Sequence, residues 1–541
     1  MKTQSESQGN TLRIRWVCGI SVLLLIAVTF GGVWNECLKH TEGHFAYALD
    51  DPYIHLAIAK NLAQHGVWGV TSFAPSSASS SPLWTSLLAS VILVCGNSVL
   101  WPIILGVFAS VAATMLVYFR AMRAGLGPLG AAASALLVFL IGPLFMLPFT
   151  GMEHSLQILL DLWFGFWLLE ALGHKNDRGD FWVGMVLASL MCLCRYESVF
   201  LLVVPVAVGV NRRDWRLSAG LAIGPVAGIG GFGIYSRMVG MPWVPNSILI
   251  KGHLPHSSGW TYVSGLAEHV FWTLWDRAPV VGVLIVIAAA VAVTLRWLPD
   301  RNLTSPIEIW LWTSVVAALL HASFAMMGFL FRYEGYLLAC LGAGVLLGVN
   351  AIHANRGWAN RQRNTYAAGV ISAVVALALI RASKAMHDVP KASSDIYLQQ
   401  FQMARFVKRY YPRGRLAAND IGAISYFSEG HLLDLVGLAT DSIREDRVHG
   451  TFTTKKIAKE INEFRPDLIV AYPEWFTGSI SMPKSLFPVG DWTIPPVTSA
   501  ASRCVRFYAT SRSSAERIRH ELSDFQPYLP SSVTVKYSLL A

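Results

Sequence analysis

The chain has 541 residues, 54% of them hydrophobic and only 14% charged, with a formal net charge of +10 and a mean hydropathy of +0.46. A soluble domain carries about a quarter charged residues, so composition excludes a soluble globular protein. Many apolar runs approach the roughly 20 residues needed to cross a bilayer. The positive charge does not point to nucleic acid, because the basic residues fall in short loops between apolar runs, as the positive-inside rule expects.

In chain order, Arg13 and Arg15 precede the run Trp16 to Trp34, which ends at Asn35-Glu36. The run is longer than a signal-peptide core and lacks a small-x-small cleavage site, so it reads as an uncleaved first span with a cytoplasmic N-terminus. A first outer loop, 35–98, follows. It carries adjacent carboxylates, Asp50 and Asp51, just before Pro52. Two neighbouring carboxylates beside a membrane repel each other and need solvent, a proton or a cation, which points to a general base, a cation ligand or both. Asp51 could instead N-cap the helix that Pro52 opens, a role that leaves Asp50 without one. Within this loop, residues 52–66 mix Tyr53, Leu56, Ile58 and Leu62 with His55, Lys60, Asn61 and Gln64. Together with Pro82 to Cys95, too short for a span, they read as shallow helices in the outer interface, joined by the Ser/Ala/Pro-rich stretch Ser72 to Ser81.

Further spans are expected near 99–119, 128–149, 153–172, 181–195, 196–210, 217–236, 278–296, 306–327, 335–352 and 364–382. The two shortest, 181–195 and 196–210, read as a hairpin that does not fully cross, with Arg195-Tyr196-Glu197 at its tip. With the first span this makes eleven. If all five later basic loops are cytoplasmic, the C-terminus lies outside. After Ala382 the composition changes: residues 385–541 hold no span. Strands are expected at Arg415 to Ala418, Ile421 to Phe427, Leu468 to Ala471 and Val505 to Ala509, and helices at Lys455 to Phe464 and Ser513 to Phe525. The predicted architecture is mostly α: a polytopic transmembrane helical bundle of residues 1–384 with a small C-terminal α/β extracytoplasmic domain, 385–541. Cys18, Cys95, Cys192, Cys194 and Cys340 fall in or beside apolar runs, so only Cys37 and Cys504 are expected to face the oxidising side, and positions so far apart give weak grounds for a disulfide.

Polar residues gather at the outer face. Besides the Asp pair they are Glu153 and His154 after Gly151, Arg195 and Glu197, Asn246 and Lys251 in the loop 237–277, and Arg332-Tyr333-Glu334. Each alone suits an interfacial anchor or a cap. Together they suit a lipid-linked anionic substrate, with Arg195, Lys251 and Arg332 holding a phosphate and a carboxylate deprotonating an acceptor. Trp84 and other outer tryptophans could stack sugar rings, although such residues are common at membrane interfaces.

The order Asp50-Asp51-Pro52-Tyr53-Ile54, Asn61-Leu62-x-x-x-Gly66, Ser81-Pro82-Leu83-Trp84-Thr85, Gly151-Met152-Glu153, Arg195-Tyr196-Glu197, Pro245-Asn246-x-x-x-x-Lys251 and Arg332-Tyr333 resembles the GT-C superfamily of polyprenyl-phosphate-dependent glycosyltransferases. The nearest branch contains the arabinofuranosyltransferases that finish bacterial cell-wall arabinan; Asn419 to Ala423 and Leu433 to Leu438 also look like that branch. The resemblance covers roughly 45–480. It implies a GT-C-like bundle in the bacterial inner membrane and transfer of a sugar from a polyprenyl-phosphate donor to an acceptor hydroxyl of a cell-envelope glycan or glycolipid on the periplasmic face. Implied site residues are Asp50, Asp51 and Glu153 for catalysis, Arg195, Lys251, Arg332 and Tyr333 for the donor phosphate, and Trp84, Asn246 and His154 for acceptor or sugar. Some members use a divalent metal ion and others do not; here Asp51 and His55 would be its ligands. His154 and Tyr196 depart from the family pattern, which bears on sugar and acceptor identity. The rival class is a transporter or flippase of a lipid-linked cell-envelope precursor, which should show internal repeats and helices broken at midplane. Neither is visible in the sequence.

Overall fold

The structure is a computed structural model that describes residues 2–173, 178–251, 260–298, 301–354, 360–478 and 480–539, without the side chains of 2–12, 178, 251, 260–263 and 301–304. Eight described helices are long and apolar enough to cross a membrane: Arg13–His40, Trp101–Arg123, His154–Gly173, Trp215–Met238, Pro279–Arg296, Ser305–Phe324, Gly335–Ala354 and the apolar part of Asn360–Tyr410. The chain is thus a multi-pass membrane protein. Three shorter apolar helices, Pro128–Ile141, Gly179–Cys194 and Tyr196–Asn211, stand where the other spans were expected. The run 128–149 ends its helix at Ile141 because Gly142-Pro143 interrupts it, and it resumes as a single 3₁₀ turn, Leu147–Thr150.

The helix Gly335–Ala354 is the buried axis of the bundle, with nearly every residue from Gly335 to Val349 inaccessible. Helices such as Arg13–His40 instead expose Val17, Leu24 and Val28, the outward apolar surface that a bilayer would cover. Between the first two long helices lie two shorter helices where the sequence places them. Asp51–His65 ends at Gly66 in the left-handed region, and Pro82–Cys95 is capped by the Ser81 side chain. The first of these is called here the platform helix.

One continuous helix, Asn360–Ile396, runs through the composition change at 384/385 and carries the chain into the C-terminal domain, called the outer domain here after the side on which the sequence is expected to place it. That domain is built on a six-stranded mixed sheet of β1 (Arg415–Ala418), β2 (His431–Asp434), β3 (Leu468–Ala471), β4 (Phe487–Thr493), β5 (Cys504–Ala509) and β6 (Thr534–Tyr537), in the order β2-β1-β3-β5-β4-β6. β1 pairs parallel with β2 and β3, and the remaining pairings are antiparallel. Phe406 packs edge-on against Trp492, Phe507 and Phe525, fixing the helix Gln402–Tyr410 to the sheet.

The sequence places a strand at Ile421–Phe427, but the structure has a short helix, Gly422–Phe427. A β-like run folds as a helix here because its N-terminal amides are claimed by a carboxylate from elsewhere in the chain, Asp50. All seven cysteines are unpaired, Cys37 and Cys504 included.

Candidate functional site

The two adjacent carboxylates have separate partners. Asp50 sits at the N-cap position of the platform helix but makes no side-chain bond to it. Its carboxylate instead accepts the Gly422 amide at 2.5 Å and the Ala423 amide at 2.8 Å, so the first outer loop caps a helix of the outer domain. Gly422 permits this approach: a Cβ there would run into the Asp50 carbonyl and carboxylate. Burial and the neighbouring Asp420 raise the Asp50 pKa well above the usual carboxylate range. A folded-state value above the unfolded one, about 3.9, means that this contribution to docking is complete below that pH and lost as pH rises through the raised value. Hydrogen exchange of the 422–427 amides, corrected for intrinsic rates, should therefore grow faster as pH rises from the ordinary carboxylate range, about 3.9, through the raised Asp50 value. Protection that grows as pH rises would contradict the coupling.

Asp51, one residue on, turns the other way. It accepts Arg332 Nη1 at 2.9 Å, and its side chain remains 31% exposed. It lines a cavity of about 250 Å³ together with His55, Arg195, Glu197, Arg332 and Tyr333. The lining also includes Phe324 and Met326 from the membrane bundle, Ser247 and Ile248 from the short helix Asn246–Lys251, and Leu438 from the outer domain. The cavity thus lies where apolar and charged side chains of the bundle meet the outer domain.

Glu153 lies directly behind this wall, fully buried. Gly151, with φ +69°, makes the turn that puts it there, and a Cβ at Gly151 would collide with Pro52 and Tyr47. Glu153 Oε1 accepts Arg195 Nη1 at 2.9 Å, and its Oε2 lies 3.8 Å from His55 Nε2. His55 is fixed on its other side by Thr85, 2.8 Å from Nδ1. Arg195 also donates to Glu197 at 2.6 Å. It is therefore held between two carboxylates.

Arg332 is less engaged. Besides Asp51 it donates to the Tyr333 hydroxyl at 2.9 Å and lies 4.7 Å from the centre of that ring. Its buried Nε finds no hydrogen-bond acceptor in the protein. The backbone before it is strained: Leu330 and Phe331 adopt φ of 47° and 64°, a region bulky side chains avoid. The buried Arg381–Glu334 pair, 2.9 Å apart, holds this turn, with Arg381 also donating to the Phe331 carbonyl.

Other expected residues are placed differently. Trp84 is packed inside the core, with no face left for a sugar ring, because the apolar helix Pro82–Cys95 buries it against its neighbours. Asn246 does not line the cavity; its amide donates to the Leu438 carbonyl at 3.0 Å and to Asp441 at 3.1 Å, so it positions the loop bearing Leu438. His154 is buried, edge-on to Tyr333 at 5.9 Å, with neither ring nitrogen partnered in the protein. Lys251 ends the helix Asn246–Lys251, and its side chain lies outside the described residues. Asp51 and His55 do not fit a resident divalent ion: one is paired with Arg332, the other is held between Thr85 and Glu153. Among the described residues no group of three His, Cys, Asp or Glu side chains could hold a metal. Ser247 and Arg381 were not anticipated; nothing in a lone small or basic residue marks it as a wall or prop of this cavity.

Residues 394–508 match a family model described as a domain of unknown function, DUF8728. Comparison with curated proteins finds no match. Among solved structures, the chain is similar to ArnT from Cupriavidus metallidurans bound to undecaprenyl phosphate, with a TM-score of 0.54 and 14% identity over 91% of this chain and 98% of that one. It is similar to the same protein in its apo state at 0.50 and 13%, covering 91% and 99%. The apo Archaeoglobus fulgidus oligosaccharyltransferase gives 0.50 and 13%, covering 96% of this chain and 76% of that one. At such identities the likeness is one of fold: a helical membrane bundle carrying a small sheet domain.

Proposed function

We propose that this protein is a membrane glycosyltransferase that moves a sugar from a polyprenyl-phosphate donor to an acceptor hydroxyl of a cell-envelope glycan or glycolipid on the periplasmic face. The observation that carries the reading is the juxtaposition of Arg332, with an unpartnered buried Nε, and the accessible Asp51 carboxylate on one cavity wall. The fold supports it, since a similar structure was solved with undecaprenyl phosphate bound. Within the class, the ordered sequence motifs favour the arabinofuranosyltransferase branch, and the transferred sugar is a hexosyl or pentosyl group.

The chemistry follows from charge. The donor's sugar C1–O(phosphate) bond breaks and a C1–O(acceptor) bond forms; the acceptor proton passes to Asp51, and polyprenyl phosphate leaves. Arg332 stabilises the charge that grows on the departing phosphate, with Arg195 beyond it. Arg332 is bonded to Asp51. An arriving phosphate competes for that guanidinium and releases the carboxylate to take the acceptor's proton. Tyr333 holds the guanidinium plane in place during the exchange. Glu153 is buried behind Arg195 and serves to orient it.

Purified protein in nanodiscs, given polyprenyl-phosphate sugars and envelope glycan fragments, should yield a glycosylated fragment by mass spectrometry. No product from any donor would overturn the reading. The reading also requires loop 35–98 and residues 385–541 outside and loop 353–363 inside. In a cysteine-free background, a single cysteine at position 445, which is exposed, should label in intact cells, and one at 358 should not. Labelling at 358 from outside would invert the arrangement.

A further inference from the structure

We infer that a second cavity, between the platform helix and the outer domain, docks an anionic oligosaccharide, the remote part of the acceptor. The word acceptor rests on the transferase reading above; the site itself does not. This cavity is about 690 Å³ and is walled from both halves of the protein. Lys60, Asn61 and His65 come from the end of the platform helix opposite Asp51, while Lys408, Arg413 and the segment Tyr426 to His431 come from the outer domain.

Its charge selects the ligand. Lys60, Lys408 and Arg413 face it against one carboxylate, Glu429. Glu429, 71% exposed, lies 3.6 Å from Arg413, itself 85% exposed; it offsets one of the three positive charges and leaves cations in excess along the lining. Lys60 reaches inward, donating to the Tyr426 carbonyl at 2.8 Å and lying 5.4 Å from the ring centre. Burial lowers its pKa, so a bound anion would restore what desolvation removes. The walls suit sugar more than a lipid tail. Phe73, 55% exposed, stacks on His431 with centroids 3.8 Å apart, and the polar Asn61, Gln64 and Asn97 share the same walls. A flat aromatic surface beside amides and cations is the composition that recognises an acidic saccharide.

Placement gives the cavity a use. Nine residues of helix separate Asp51 from Lys60, about 14 Å at 1.5 Å per residue. A chain-like acceptor anchored here by its charges could lay its terminal hydroxyl toward Asp51, and binding remote from the reacting bond would contribute to orientation.

The test uses the full chain in nanodiscs and measures affinity for an oligogalacturonide and for a neutral malto-oligosaccharide of equal length. The acidic probe should bind more tightly, and raising salt should weaken it. The double variant Lys408→Glu with Arg413→Glu, both exposed positions, should weaken the acidic probe about tenfold or more and leave the neutral one unchanged. An unchanged thermal unfolding midpoint reports that the variant is folded, and polyprenyl-phosphate affinity is read separately at the other cavity. Absent binding of the acidic probe, equal affinity for both probes, or acidic-probe affinity unmoved by the double variant would overturn the inference. Preserved acidic-probe binding in a protein that shows no polyprenyl-phosphate affinity would instead defeat the transferase reading and leave this site standing.

Discussion

Replacing Asp51 with asparagine is expected to lower sugar transfer by about 100-fold or more, the worth of a positioned general base, in a protein that still folds. The side chain is partly open to the cavity, and asparagine preserves its shape and its acceptor oxygen at the start of the platform helix. Donor affinity separates this role from a structural one. With the carboxylate neutralised, Arg332 is released to the phosphate, so Asp51→Asn should bind polyprenyl phosphate as well as the parent or better while turnover collapses. Equal losses in both would mean that Asp51 only props Arg332. Near-normal turnover would remove it as the base. Asp50→Asn should behave differently, because Asp50 contacts the outer domain rather than the cavity: its effect should fall on protection of residues 422–427.

Arg332→Gln is expected to weaken polyprenyl-phosphate binding by about 1.5–3 kcal/mol, the range for a charge-assisted hydrogen bond, or roughly 10- to 150-fold in affinity. Arg332→Lys should retain more affinity than the glutamine variant, because charge survives, and less than the parent, because the planar fork is lost. Arg195→Gln is a different case. Arg195 lies between Glu153 and Glu197, so removing its charge leaves two enclosed carboxylates uncompensated and should reduce folded yield before it changes affinity. Unchanged affinity in Arg332→Gln, measured with polyprenyl phosphate on folded protein, would remove Arg332 from the donor site.

Much of this arrangement was legible in the sequence because apolar run length and loop charge act locally. The eight long helices, the platform helix and the strands β1, β3 and β5 follow from patterns within single segments. The residues Asp51, His55, Arg195, Arg332 and Tyr333 were legible as candidates because charges beside membrane spans are costly without a use. What was hidden depends on contacts far apart in sequence. Residues 421–427 read as a strand by composition and form a helix because Asp50 meets their amides across 372 positions. Asp50 and Asp51 look equivalent side by side, yet one turn of backbone sends them to different partners. Trp84 has the composition of a sugar platform and lies in the core. Strands β2, β4 and β6 carry polar residues at sheet edges or beside Gly490, which masks their alternation, and their pairing supplies what local pattern lacks.

The central claim is that the cavity at Asp51 and Arg332 transfers sugar from a lipid donor rather than moving the lipid across the membrane. Mass spectrometry of lipid-linked sugars and surface glycans, in cells with the protein, without it, and with Asp51→Asn, tests this most directly. The account predicts that both mutant conditions accumulate one polyprenyl-phosphate sugar on the outer face and lose the corresponding glycan residue. Accumulation confined to the inner face, as a flippase would give, or unchanged glycans and lipids in all three conditions, would contradict it.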